Sequence, residues 1–168
     1  MSISTDRSDT LRILESDYGI TGGQIYLLPV LPLIEMVWVD GRNQPAELEL
    51  VAEYIERHLS DLNEEAGGIN VVSREELEQF MNRFVRVRPE SELLTAVRNL
   101  TFPALLGNTC AKRERKSRQI LDYCLDIASA CVRDYPYGQR ERFLREEKSL
   151  LHELAEALRV SCDKECSL

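Results

Sequence analysis

Apolar residues in this chain return every three to four positions, and no stretch alternates apolar with polar residues long enough to propose a sheet. A chain patterned this way buries one stripe per helix, so the sequence predicts an all-α fold. Leu11, Leu14 and Tyr18 mark one face of a short helix expected from Ser8 to Gly19. The following run, Gln24 to Val39, is expected to break or restart at Pro29 and Pro32, because an interior proline loses a hydrogen bond and clashes with the preceding turn. Pro45 suits the first turn of a helix ending near Leu59, with Leu48, Val51, Ala52, Ile55 and Leu59 as its stripe. Residues 60–72, which include Glu64, Glu65, Gly67 and Gly68, read as an acidic connection.

Ser73 and Glu76 carry a capping-box signature ahead of a helix whose apolar face is Leu77, Phe80, Met81, Phe84 and Val85. A shorter helix fits Ser91 to Leu100. Two long helices, Asn108 to about Arg133 and about Gln139 to Val160, are joined through Tyr135, Pro136, Tyr137 and Gly138 as a helical hairpin. The expectation is a single-domain bundle of about seven helices: a short N-terminal segment over 1–22, a helical domain over 23–160 and a tail over 161–168. Its core is expected around Trp38, Phe80, Phe84, Leu121, Ile127, Leu151 and Leu154, with Tyr26 also inside.

Composition narrows the function classes. A length of 168 residues suits one core. A net charge of −8 argues against a general binder of nucleic-acid backbones, which needs a surplus of Lys and Arg on its contact face. The longest apolar stretch, Ile25 to Val39, contains Pro29, Pro32 and Glu35 and falls short of the roughly 20 residues a membrane span requires, so it reads as core. Met1 to Asp9 lack the pattern of a secretory signal, and the expected location is the cytoplasm. The cysteines, Cys110, Cys124, Cys131, Cys162 and Cys166, form no Cys-x-x-Cys pair, which suits a reducing compartment. Cys124 and Cys131 share a helix face and read as core. Cys162 and Cys166 lie one helical turn apart and read either as exposed thiols on a frayed tail or as half of a soft-metal site.

Two segments look alike. The first runs Leu33-Ile34-Glu35-Met36-Val37-Trp38-Val39-Asp40-Gly41, then Pro45-Ala46-Glu47 and the helix to Leu59. The second runs from Leu125 to Asp134, then Glu147 and the helix through Leu150, Leu151, Leu154 and Leu158. Each is an apolar helix, an Asp, a turn, a Glu and an amphipathic helix. The pattern resembles the TerB-like tellurite-resistance family, in which a helix ends in Asp-Gly and a Glu lies in the first turn of the next helix. The resemblance covers about residue 25 to residue 160 and implies two pseudo-repeated helical hairpins. In the second copy Asp134 is followed by Tyr135, and Glu147 stands further from its Asp than Glu47 does; Glu141 has the closer spacing but misplaces the later leucines.

The resemblance also implies a divalent cation, Ca²⁺ or Mg²⁺, at the acidic turns, with Asp40, Glu47, Asp134 and Glu147 as ligands. The chemistry is compatible. Asp40 sits where a helix C-terminus already presents partial negative charge, and hard cations take carboxylate and carbonyl oxygens. The alternative is purely structural: Asp40 accepts hydrogen bonds within its own turn, and Glu47, third residue of a helix starting at Pro45, closes a cap.

No nucleophile and base stand at a recognisable spacing, and no phosphate loop or zinc-hydrolase motif is present, so no catalytic residue is proposed. Lys112, Arg113, Arg115, Lys116 and Arg118 make a basic cluster that reads as a solvated helix face or as a contact for an anionic surface. His58 is expected at a helix end and His152 on the surface. Two functional expectations stand. One is a non-enzymatic, cytoplasmic stress-response protein of the tellurite-resistance kind that binds a divalent cation. The other is a helical module for protein partners, homodimerisation included, with at most peripheral membrane contact and no metal.

Overall fold

The computed structural model describes residues 3–39, 44–105, 110–130 and 145–166. Among these residues lie seven α-helices and no strand: α1 Ile3–Tyr18, α2 Leu31–Trp38, α3 Pro45–Glu65, α4 Arg74–Phe80, α5 Ser91–Leu105, α6 Cys110–Ala130 and α7 Arg145–Cys166. A 3₁₀ segment, Gly22–Val30, leads into α2, and a π-helical segment, Met81–Arg86, continues α4. The all-α, single-domain expectation is met. The hairpin connection at residues 135–138 and one member of the paired cysteines, Cys131, lie outside the described residues.

Helix α2 is the axis of the molecule. Leu31, Leu33, Ile34, Met36 and Val37 are all buried, and the helix packs against α3, α5, α6 and α7. A short helix whose residues other than Glu35 are all apolar has little solvent face to offer, so it is stable only when enclosed. Full burial of each large aliphatic side chain contributes about 1.5–3 kcal/mol. The expected break at Pro29 takes the form of a change of helix type: the 3₁₀ segment holds Pro29 inside it, and α2 restarts at Leu31 with Pro32 in its first turn, where a missing N–H costs nothing.

Helix α3 runs past the expected stop near Leu59 to Glu65. No breaker occurs before Gly67 and Gly68, which take positive φ values of 74° and 90° and return N–H bonds to Glu64 and Asn63 carbonyls. Helix α5 likewise extends to Leu105 through Pro103, because burial of Leu94, Val97 and Thr101 outweighs one lost backbone bond. Helix α7 carries both Cys162 and Cys166.

The predicted cap at Ser73 forms as read: Glu76 N–H donates to Ser73 Oγ, and Ser73 N–H donates to Glu76 Oε2. Phe80, the last residue of α4, and Phe84, in the π-helical segment that follows, lie 4.9 Å apart, ring to ring. The Phe84 carbonyl is near the end of that segment, and Pro89, five residues on, has no N–H to give it. Trp38 Nε1 donates to it instead, at 3.2 Å. This bond ties the C-terminal end of α2 to the chain entering α5. Tyr26, expected in the core, is 46% exposed; the 3₁₀ turn rotates it outward while Leu27 and Leu28 turn in.

Candidate functional site

Of the four carboxylates at the acidic turns, Asp40 and Asp134 lie outside the described residues. Glu47 and Glu147 are described, and both are only 1% exposed. Glu47 is the third residue of α3, and Glu147 lies in α7 close to the first of its described residues. Burying a carboxylate is costly unless hydrogen bonds or a counter-charge compensate it. For Glu47 part of that compensation is visible: its Oε2 accepts the Gln44 N–H at 3.0 Å, closing the N-terminus of α3 as the capping reading anticipated. Gln44 Oε1, beside it, is buried and accepts no hydrogen bond. Among the described residues no three His, Cys, Asp or Glu side chains are grouped as a metal would need.

A second constellation was passed over in the sequence. Arg98, 1% exposed, projects from α5 between Glu35 of α2 and Glu153 of α7. Its Nη2 donates to Glu153 Oε1 at 2.8 Å, and its Nε stands 3.5 Å from Glu35 Oε2 without a hydrogen bond. Thr95 Oγ1 donates a long bond of 3.5 Å to Glu35 Oε1. Burial, outweighing the attraction of Arg98, pushes the Glu35 carboxyl up to about 7. Glu35 and Glu153 line a cleft of about 640 Å³ with Trp38, Thr95, Leu94 and Leu150. The signal was present in the sequence, as a single acid inside the apolar run from Ile25 to Val39; its partner on α5 was not marked by any local pattern.

His58 differs from its expected place. Because α3 continues to Glu65, His58 is an interior residue of the helix, and it is buried. Nε2 lies 2.6 Å from the Tyr26 carbonyl, to which it donates in the neutral tautomer, leaving Nδ1 an acceptor without a partner. Burial first, then the nearby Lys116 cation, pushes its pKa down to about 4. Tyr54 stacks on the imidazole, rings 5.8 Å apart. His152 is exposed, as expected.

The basic cluster is divided: Arg113 is buried and Lys116 half-buried, while Lys112, Arg115 and Arg118 are exposed. Lys116 Nζ sits 5.7 Å over the Tyr54 ring, Lys112 reaches Glu65 at 3.9 Å, Arg113 is buried, and Arg118 pairs with Glu114 along the same helix. Helix α6 thus sets Lys112 and Lys116 against α3. Among the described residues no single helix is long and apolar enough to cross a membrane.

These features define the class as an all-α helical bundle with two buried glutamates, Glu47 in α3 and Glu147 in α7, and a charged cleft. No protein-family model, no curated protein and no solved structure matches the chain.

Proposed function

We propose that this protein is a non-enzymatic stress-response protein of the TerB-like kind, which holds Ca²⁺ or Mg²⁺ at the turns containing Asp40 and Glu47 and, in the second copy, Asp134 and Glu147. The observation that carries this reading is the burial of two glutamates, Glu47 in the first turn of α3 and Glu147 in α7, each 1% exposed. A hard cation compensates buried carboxylates through direct oxygen ligation.

The test is calorimetric titration of the full-length chain with Ca²⁺ and with Mg²⁺, alongside Asp40→Asn, Glu47→Gln, Asp134→Asn and Glu147→Gln variants. Saturable heat in the wild type that is lost in the variants supports the reading. Heat-free traces for both ions, or binding indifferent to all four substitutions, discard it.

A further inference from the structure

Helix α7 packs on α2, α5 and α6 with Leu154 and Leu158 buried, and it meets an interior charge through Glu153. There the guanidinium of Arg98, 1% exposed, is shared between carboxylates on two different helices. Glu153 of α7 has a side chain 56% exposed, whereas Glu35 of α2 is 7% exposed. The two acids are unequally served. Glu153 takes the direct bond, Arg98 Nη2 to Oε1 at 2.8 Å, while Glu35 Oε2 faces Nε at 3.5 Å and accepts no hydrogen bond. Two like charges beside one buried cation disfavour ionisation of the more buried acid. Glu35 is therefore the member of this cluster that takes up a proton.

We propose that α7 is a pH-responsive helix, held against α2 and α5 while Glu35 is protonated and released more often once Glu35 ionises. Protonated Glu35 leaves the Arg98 charge to Glu153, so the tie between α5 and α7 is then at its strongest. Ionised Glu35 draws on the same guanidinium, repels Glu153 and has to stay dry. Glu35 lines the cleft whose α7 wall is Ser149, Leu150 and Glu153, so lifting α7 brings water to the carboxylate and relieves it. This device is separate from the acidic turns and does not depend on them.

The groups facing Glu35 are Arg98 and Thr95 from α5, Glu153 from α7 and Cys124 from α6, with the exposed Arg88 in the cleft lining. Among the described residues, α3 and the 3₁₀ segment add no ionisable group that acts on it. The Cys124 thiol is pushed up by burial and stays neutral. Burial, against the attraction of Arg98 and with repulsion from Glu153, raises Glu35 from 4.5 to about 7. Opening α7 returns it to water, so docking weakens as the pH rises between these values and levels off above them. His58 is bonded to Tyr26 and stacked on Tyr54, away from this cluster, so it titrates with the whole fold.

Amide hydrogen exchange of the full-length protein, read by mass spectrometry at pH 6 and pH 8 as protection factors, separates opening of α7 from global unfolding. Protection in α7 is expected to lie below that of α3 and to fall about tenfold from pH 6 to pH 8. The slowest amides of α3 exchange on global unfolding, where His58 opposes Glu35, and are expected to fall by less than about threefold. Glu35→Gln abolishes the tenfold fall in α7. Glu153→Gln, at the exposed member of the cluster, keeps the core intact, so the test survives if the Glu35 variant fails to fold. It is expected to lower α7 protection several-fold at pH 6 and to shrink the fall towards pH 8. Equal α7 protection at the two pH values in the wild type overturns the proposal. So does α7 protection that matches that of α3 at both pH values, a tenfold fall surviving in folded Glu35→Gln, or wild-type α7 protection in Glu153→Gln.

Discussion

The guanidinium of Arg98 lies 3.5 Å, through Nε, from the Glu35 carboxylate, in an interior where both side chains are shut off from water. Removing one member of such a pair leaves the other charge uncompensated, which typically costs about 3–5 kcal/mol. Arg98→Met is therefore expected to destabilise the fold by that amount at pH 8, and by less at pH 6, where Glu35 is mostly protonated. The double variant Glu35→Gln/Arg98→Met should regain about 1–3 kcal/mol of the loss, because neither charge is then stranded. Urea denaturation of the four proteins in the cycle checks both statements.

Two buried groups titrate in opposite senses. Glu35 is raised from 4.5 to about 7, so between these values the native state holds a proton that the unfolded chain has released, and stability falls as the pH rises. His58 is lowered from 6.5 to about 4, so over that interval the unfolded chain binds the extra proton, and stability rises with pH. Each contribution is about 3 kcal/mol across its window. From about pH 4.5 to 6.5 they oppose, and the wild type is expected to show nearly level stability there. Glu35→Gln should expose the rise and His58→Gln the fall. Chemical denaturation at half-unit pH steps decides the matter; two variants with slopes of the same sign would refute it.

What the sequence disclosed depended on distance along the chain. Ser73 with Glu76, Pro45 with Glu47, and the restart after Pro29 are governed by neighbours within one turn, and local chemistry read them correctly. The ends of α3 and α5 were placed too early, because tertiary burial extends helices beyond what propensity supports. Tyr26 was misplaced for a related reason: a 3₁₀ turn advances side chains by a different angle from an α-turn, so an α-periodic reading assigns the wrong face. Glu35 stood out as an acid in an apolar run, yet nothing local indicated that Arg98 and Glu153, on other helices, would gather around it.

Gly23 marks a close approach. A Cβ there would overlap Glu76 Oε2 and sit 3.0 Å from the Val71 carbonyl. The same Glu76 carboxylate accepts the backbone N–H groups of Ser73 and Gly23, which hold its pKa below the usual range and staple the 3₁₀ segment to the start of α4. Gly23→Ala is expected to expel the carboxylate and destabilise by about 1–3 kcal/mol. Since that substitution already breaks the staple, adding Glu76→Ala should cost little more. Thermal denaturation of the single and double variants tests for this non-additivity.

Glu47 offers a way to separate the roles of its carboxylate. As a cap, it needs only an oxygen for the Gln44 N–H, which a glutamine also provides; as a cation ligand, it needs its charge. Glu47→Gln is accordingly expected to change stability in the absence of divalent ions by less than about 0.5 kcal/mol, whereas Glu47→Ala, which deletes the acceptor, should cost about 0.5–2 kcal/mol. Adding Ca²⁺ or Mg²⁺ then distinguishes the two roles. A ligand that binds only the native state raises its stability by mass action, and that increment should appear in the wild type and vanish in Glu47→Gln. Equal increments in both proteins, or none in the wild type, leave Glu47 as a cap alone. Melting curves with a chelator and with excess ion provide the comparison.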